Sequence, residues 1–274
     1  MSEPPSFEVV ATRSGARAMR DRRTGEVMHP LGGPSEEARS LYVRPSRIEQ
    51  RLDAGESEPL VLLDVGLGAG SNAAAAWCVS EARVASRRQL HIISFDRTFA
   101  ALELALSPDH REAFGLQGTV LVASSQLIER GRTEGVGTVW RASLGELPST
   151  LRAEPSASAD IVYWDPFSPR ANPTLWNAGT FTALRRACRD GATVHTYSGA
   201  TATRTALLLA GFAVGFGDVL TSGRQATVAA TRVDDLERPL DRRWLERLSR
   251  SSAPFPEDAP AGGFERIAGM PQFQ

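Results

Sequence analysis

Residues 163–176 read YWDPFSPRANPTLW, and their types are unusual for the exit of a strand. Asp165 closes the apolar run ADIVYWD and is followed by Pro166, Phe167, Ser168 and Pro169. Proline fixes φ and has no N–H to donate, and it pushes the preceding residue out of the helical region. The turn is therefore stiff, and it joins a carboxylate to carbonyls short of local donors. Such a turn suits a ligand that donates hydrogen bonds. The plainer reading makes Asp165 a turn former that bonds its own backbone.

A second group lies about 100 residues upstream, in LVLLDVGLGAG. Gly66, Gly68 and Gly70 are spaced two and two, with Asp64 two positions before the first. A dinucleotide-binding turn wants G-x-G-x-x-G, so the third glycine comes one residue early. Without Cβ atoms, such a turn lets a ligand lie against the backbone. The pattern D-x-G-x-G-x-G resembles the nucleoside-binding turn of class I S-adenosylmethionine-dependent methyltransferases. In that reading Asp64 attracts the cofactor's positive amino group. Asp96 ends the next apolar run, LHIISFD. A carboxylate there can accept both hydroxyls of a ribose. Asn72 falls in the first turn of the following helix, where it contacts the cofactor's carboxylate or makes a helix-start hydrogen bond.

Several segments together resemble the methyltransferase domain of MnmC-type tRNA-modifying enzymes. They are MHPLGGPSEEARSLYV, LDVGLGAGSN, LHIISFD, DIVYWDPFSPRANPTLWNAGTF and DGATVHTYSGATATRTALLLAGF, within roughly residues 25–232. The D-P-F-S-P…N-P…L-W motif is the specific one; the glycine turn is common to the whole class. The resemblance implies S-adenosylmethionine as cofactor and tRNA as partner. The implied reaction is methylation of the exocyclic amine of 5-aminomethyl-(2-thio)uridine at the wobble position. Asp165 and the carbonyl of Pro166 would accept the amine's hydrogens, with Phe167 as a wall or stacking platform. Ser143 stands near where the family has an acid for the adenine amino group. Arg170 is the motif's basic residue, and Arg224, in TSGRQ, is what remains of a basic patch; both are assigned to phosphate contacts. The flavin oxidase domain of bifunctional members is expected to be absent.

These residues need a sheet whose strands end together. Apolar runs alternating with helical stretches give a doubly wound α/β fold. The expectation is a seven-stranded, mostly parallel, Rossmann-like sheet with an antiparallel last strand. Residues 1–58 form a β-hairpin and helical extension, 59–233 the methyltransferase domain, and 234–274 a tail with a short helix. Ser35 is expected to cap a helix that Pro45 divides, and Asn172 to cap another that starts at Pro173.

Composition excludes some functions. The formal net charge is −1, and all 31 basic residues are arginine, so no bulk attraction to nucleic acid or membrane is built in. Arginine does suit phosphate recognition. Cys78 and Cys188, each in an expected helix, read as buried thiols. His29, His91, His110 and His195 make no metal-binding pattern. MSEPPSFEVV has no basic start or apolar run, and no run is long enough to cross a bilayer; a cytoplasmic location follows. Two other functions fit the same residues. One is a methyltransferase of this fold acting on a small-molecule amine or another non-RNA acceptor. The other is a non-catalytic binding module for the cofactor or RNA, against which the retained proline turn at Asp165 argues.

Overall fold

A computed structural model describes residues 6–12, 14–28, 33–54, 57–83, 88–220, 223–252 and 255–274. His29, with the rest of 29–32 in the family-like N-terminal segment, and positions 221–222 of TSGRQ lie outside the described residues. The chain forms two compact units, Met1–Glu146 with Asp165–Phe167, and Leu147–Trp164 with Ser168–Gln274.

The first unit opens with the antiparallel pair β1 (Phe7–Ala11) and β2 (Arg17–Asp21). Helix α1 (Pro34–Ala38), a π-helical turn (Arg39–Val43) and α2 (Ile48–Asp53) follow, and the helical path breaks around Pro45. Gly33, at φ 86°, precedes α1, and no side chain caps it. Ser35 is thus inside the helix and is not its cap. Strand β3 (Leu60–Val65) is apolar throughout except for Asp64, as a strand covered on both faces requires. It leads into α3 (Ser71–Glu81). Strand β4 (Leu90–Asp96), α4 (Ala100–Ala105), α5 (Thr119–Arg130), β5 (Arg132–Glu134) and β6 (Thr138–Leu144) complete the unit. Strands β3, β4 and β6 run parallel, with β5 antiparallel at the edge of β6. Glu81, the last residue of α3, accepts from Val136 N and Gly137 N, both at 2.9 Å, and from Thr138 Oγ1 at 2.7 Å.

The second unit contains α6 (Ser149–Ala153), β7 (Ala159–Trp164), α7 (Ala178–Ala187), β8 (Cys188–Thr196), α8 (Thr201–Leu209), β9 (Ala213–Val219), β10 (Gln225–Ala230), α9 (Arg242–Leu248) and α10 (Gly263–Ala268). Strands β7 and β8 are parallel, and β10 is antiparallel to both β8 and β9. Pro173–Trp176 is a separate 3-10 turn, not the start of α7. Asn177, rather than Asn172, caps α7, accepting from Thr180 N at 2.8 Å. Buried Arg204 on α8 donates to Thr227 Oγ1 and to the carbonyls of Gln225 and Ala226, which ties the helix to β10.

The strand order is β5-β6-β4-β3-β7-β8-β10-β9. The expected mostly parallel α/β sheet with its antiparallel final strand is present. Among the described residues it has eight strands and not seven, because Gly131 ends α5 in a left-handed conformation and returns the chain as the short β5. Cys188 is buried but begins β8, and Cys78 is exposed. No described helix is long and apolar enough to cross a membrane, and the described residues contain no His/Cys/Asp/Glu cluster able to hold a metal.

Candidate functional site

Strand β3 delivers Asp64 and then turns through Gly66, Gly68 and Gly70 at φ 93°, 51° and 83°. These angles are costly for residues with a Cβ, so all three positions require glycine. The turn is held from β4: Gly66 N and Leu67 N both donate to Phe95 O, at 3.0 and 3.1 Å. Asp96 Oδ2 accepts from Gly68 N at 2.9 Å, and its Oδ1 accepts from Arg97 N at 2.7 Å. Burial raises the Asp96 carboxyl above the usual carboxylate range, opposed by these backbone donors. Each carboxylate oxygen keeps lone-pair capacity for a further donor.

Asp165 and Pro166 sit directly on this turn. Asp165 N donates to Val65 O at 2.9 Å. A Cβ placed on Gly66 would lie 2.6 Å from Asp165 O and 2.9 Å from Pro166 N. Gly66 therefore makes room for the proline turn. A Cβ on Gly68 would lie 3.1 Å from the sulfur of Met28, and one on Gly70 would lie 2.9 Å from Leu102 Cδ1. Asn72, buried in the first turn of α3, donates through Nδ2 to Asp165 Oδ2 at 2.7 Å. Its side chain reaches across to the acid, not back to the helix start, where Gly70 is the uncapped N-cap.

Asp64 is only 1% exposed. Its Oδ2 accepts from Ser94 Oγ at 2.6 Å, and Ser94 Oγ accepts in turn from Trp140 Nε1 at 2.9 Å. Its Oδ1 is buried with no hydrogen-bond partner among the described residues, as is Asn72 Oδ1. Burial pushes the Asp64 carboxyl up to about 7; the Ser94 hydrogen bond opposes this, while repulsion from Asp165 and Asp96 adds to it. A buried acid short of donors and close to two others creates demand for a cation with N–H groups.

The first unit thus gathers Asp64, Gly66, Gly68, Gly70, Asn72, Asp96, Ser143, Asp165, Pro166 and Phe167. Ser143 pairs with Phe95 in the register of β4 and β6, next to the pair Asp96 and Leu144. Arg170 and Arg224 belong to the second unit and are exposed. Arg170 lies ahead of the 3-10 turn, and Arg224 lies just before β10, where its carbonyl accepts from Leu220 N. Ser94, Trp140 and Met28 escaped the sequence reading. Ser94 is the one with a signal: a small polar residue between Ile93 and Phe95 in the strand LHIISFD.

A family model described as S-adenosyl-L-methionine-dependent methyltransferase matches residues 128–232. The tRNA 5-methylaminomethyl-2-thiouridine biosynthesis bifunctional protein MnmC of Burkholderia vietnamiensis (strain G4) is 30% identical over 201 residues, or 69% of this chain and 30% of the relative. The protein of the same name from Polaromonas naphthalenivorans (strain CJ2) is 33% identical over 189 residues, or 67% of this chain and 29% of the relative. The chain thus spans less than a third of the length of these curated relatives. Among solved structures, MNMC2 from Aquifex aeolicus superposes with a TM-score of 0.71 at 24% identity, over 97% of this chain and 84% of that one, a likeness of fold. The fold and the family model define a class I S-adenosylmethionine-dependent methyltransferase. Within that class, the chain is similar to part of these bifunctional MnmC proteins.

Proposed function

We propose that the chain methylates the exocyclic amine of 5-aminomethyl-(2-thio)uridine at the tRNA wobble position, with S-adenosylmethionine as donor. The observation that carries this reading is the seating of the Asp165–Pro166 turn on Gly66, which joins a hydrogen-bond-accepting turn to a nucleoside-type glycine turn. The residues fit the cofactor: the oxygen of Asp64 that has no partner among the described residues calls for an ammonium, and the glycine turn that follows it runs at positive φ, as a nucleoside-binding turn does. Asp64 would hold the amino group, Asp96 the ribose hydroxyls and Ser143 the adenine amine, with Gly66, Gly68 and Gly70 as the floor. When bound, the cofactor supplies a methyl group activated by its sulfonium.

The chain's own part is orientation and proton management. Asp165 and the Pro166 carbonyl accept the amine's hydrogens, aim its lone pair and fix its distance. Asp165 receives the proton that the amine must lose, and Phe167 walls the acceptor or stacks on its base. Arg170 and Arg224 would contact tRNA phosphates. Residues 59–233 act as the methyltransferase domain, with 1–58 and 234–274 as additions, in the cytoplasm. The near-neutral net charge of −1 favours one second reading, a small-molecule amine as acceptor.

Calorimetry with S-adenosylmethionine and NAD tests the cofactor, and methyl transfer to tRNA carrying the unmethylated wobble amine tests the acceptor. Binding of NAD alone would refute the cofactor. Cofactor binding without transfer to that tRNA, and without salt-dependent tRNA binding, would move the function to a small amine.

A further inference from the structure

Asn72 has one end committed and one end open. Its Nδ2 donates to Asp165 Oδ2 at 2.7 Å, and its Oδ1 is buried with no partner among the described residues. The orientation of the amide follows from chemistry: an ionised carboxylate only accepts, so the nitrogen must face Asp165. The oxygen is then an acceptor in need of a donor. Asp64 Oδ1 is in the same condition, and Asp64 feels the charge of Asp165, the group Asn72 holds. An acceptor buried without a donor is destabilising, and these two ask for the same kind of group. A carboxylate meets repulsion from both oxygens. An ammonium has three hydrogens and one charge to offer them.

We propose that Asn72 recognises the ammonium of the cofactor's methionine moiety through Oδ1, sharing it with Asp64, while Nδ2 holds Asp165 in place. Asn72 is then a positioning residue that links the donor's amino group to the acid that orients the acceptor. This rests on the cofactor reading above, and it reverses the contact with the cofactor's carboxylate that the sequence suggested. Nδ2 retains a second hydrogen, so the carboxylate is the competing assignment.

The two assignments separate with three ligands titrated by calorimetry: S-adenosylmethionine, its decarboxylated form, and 5′-methylthioadenosine, which lacks the amino and carboxyl groups of the methionine moiety. Asn72→Ala should weaken the first two by the same factor, about 10-fold to 100-fold for a charge-assisted hydrogen bond. It should leave 5′-methylthioadenosine unchanged, which shows an intact nucleoside site. Asn72→Asp keeps an acceptor for the ammonium but loses the donor to Asp165. It should bind S-adenosylmethionine at least as well as wild type while single-turnover methyl transfer falls by about 10-fold or more. A loss confined to the carboxylate-bearing ligand overturns the proposal, as does no loss with either ammonium-bearing ligand. Wild-type turnover in Asn72→Asp overturns the link to Asp165. If Asn72→Ala also loses 5′-methylthioadenosine, Asn72→Asp decides, and its failure to bind the ammonium-bearing ligands would sink the idea. Absence of S-adenosylmethionine binding by the wild-type protein would instead defeat the cofactor reading itself.

Discussion

The chain leaves β3 through three glycines at positive φ, but it leaves β7 through Asp165, Pro166 and, soon after, Pro169. Both exits follow strands buried along most of their length, and both carry an acid near the strand end. The first exit depends on missing side chains and the second on restricted backbone. The two meet at one point, where Gly66 has room only for a hydrogen against the carbonyl of Asp165. Flexible residues can thus serve a rigid purpose. Gly66 makes space for the proline turn, whereas Gly70 makes space for Leu102 and Gly68 for Met28. Glycines that look equivalent in sequence have different neighbours, and substitution should grade them.

The largest effect is expected at the junction itself. Gly66→Ala puts a methyl 2.6 Å from a backbone oxygen at a residue with φ 93°. Moving the Asp165 turn by an ångström should cut methyl transfer by about 100-fold or more. The strained backbone should cost about 1–3 kcal/mol of stability, read by thermal melting. Wild-type turnover and melting would mean that the two turns are not locked together.

Next comes Asp165. Asp165→Ala should lower single-turnover methyl transfer by about 100-fold or more, the lower scale for a positioned acid–base group. Asp165→Asn should cost less, and Pro166→Ala less again, because it loosens the turn without removing an acceptor. Affinity for S-adenosylmethionine should change little in all three. Wild-type turnover in Asp165→Ala would reduce the proline turn to architecture.

A smaller effect is expected in the pH dependence of stability. The Asp64 carboxyl, ordinarily near 3.8, stands at about 7 in the fold. Between those values the folded chain binds more protons at this site than the unfolded chain, so the site's contribution to stability falls as pH rises through the window. Thermal melting of the ligand-free protein from pH 4.5 to 7.5 should show that decline, and Asp64→Asn should flatten it. An unchanged profile in the variant would relocate the titration. A cationic ligand favours ionised Asp64, so its binding should release protons at pH 6, measurable as a buffer-dependent heat.

The smallest effect concerns exposed residues of the second unit. Arg170→Ala and Arg224→Ala should each reduce the slope of log affinity for tRNA against log salt by about 1, without changing cofactor binding. An unaltered slope would remove the residue from the tRNA contact.

Residues whose placement follows from position along one strand were legible in the sequence. Asp64 and Asp96 stand out as acids closing apolar runs, and the glycine spacing is local. Links between distant segments were not. Asn72 and Asp165 are 93 positions apart, and nothing in either neighbourhood names the other. The Trp140–Ser94–Asp64 series crosses three adjacent strands, and its Ser94 reads alone as one polar residue in a strand. Helix starts failed for another reason. NPTLWN offers two asparagines before the same helix, and the 3-10 turn between them decides that Asn177 is the cap. Strand β5 has only three residues, too short for any period to register.

Glu81 fastens one end of α3 to the turn ahead of β6, and the other end carries Asn72. At the ordinary helical rise, nine residues separate these two anchors by about 14 Å. A helix tied at one end only can slide along its axis; one tied at both acts as a gauge block, whose length sets where its far face stands. The reach of Asn72 toward Asp165 is then measured from a hairpin at the edge of β6, and a change in helix length would be felt first at the acid.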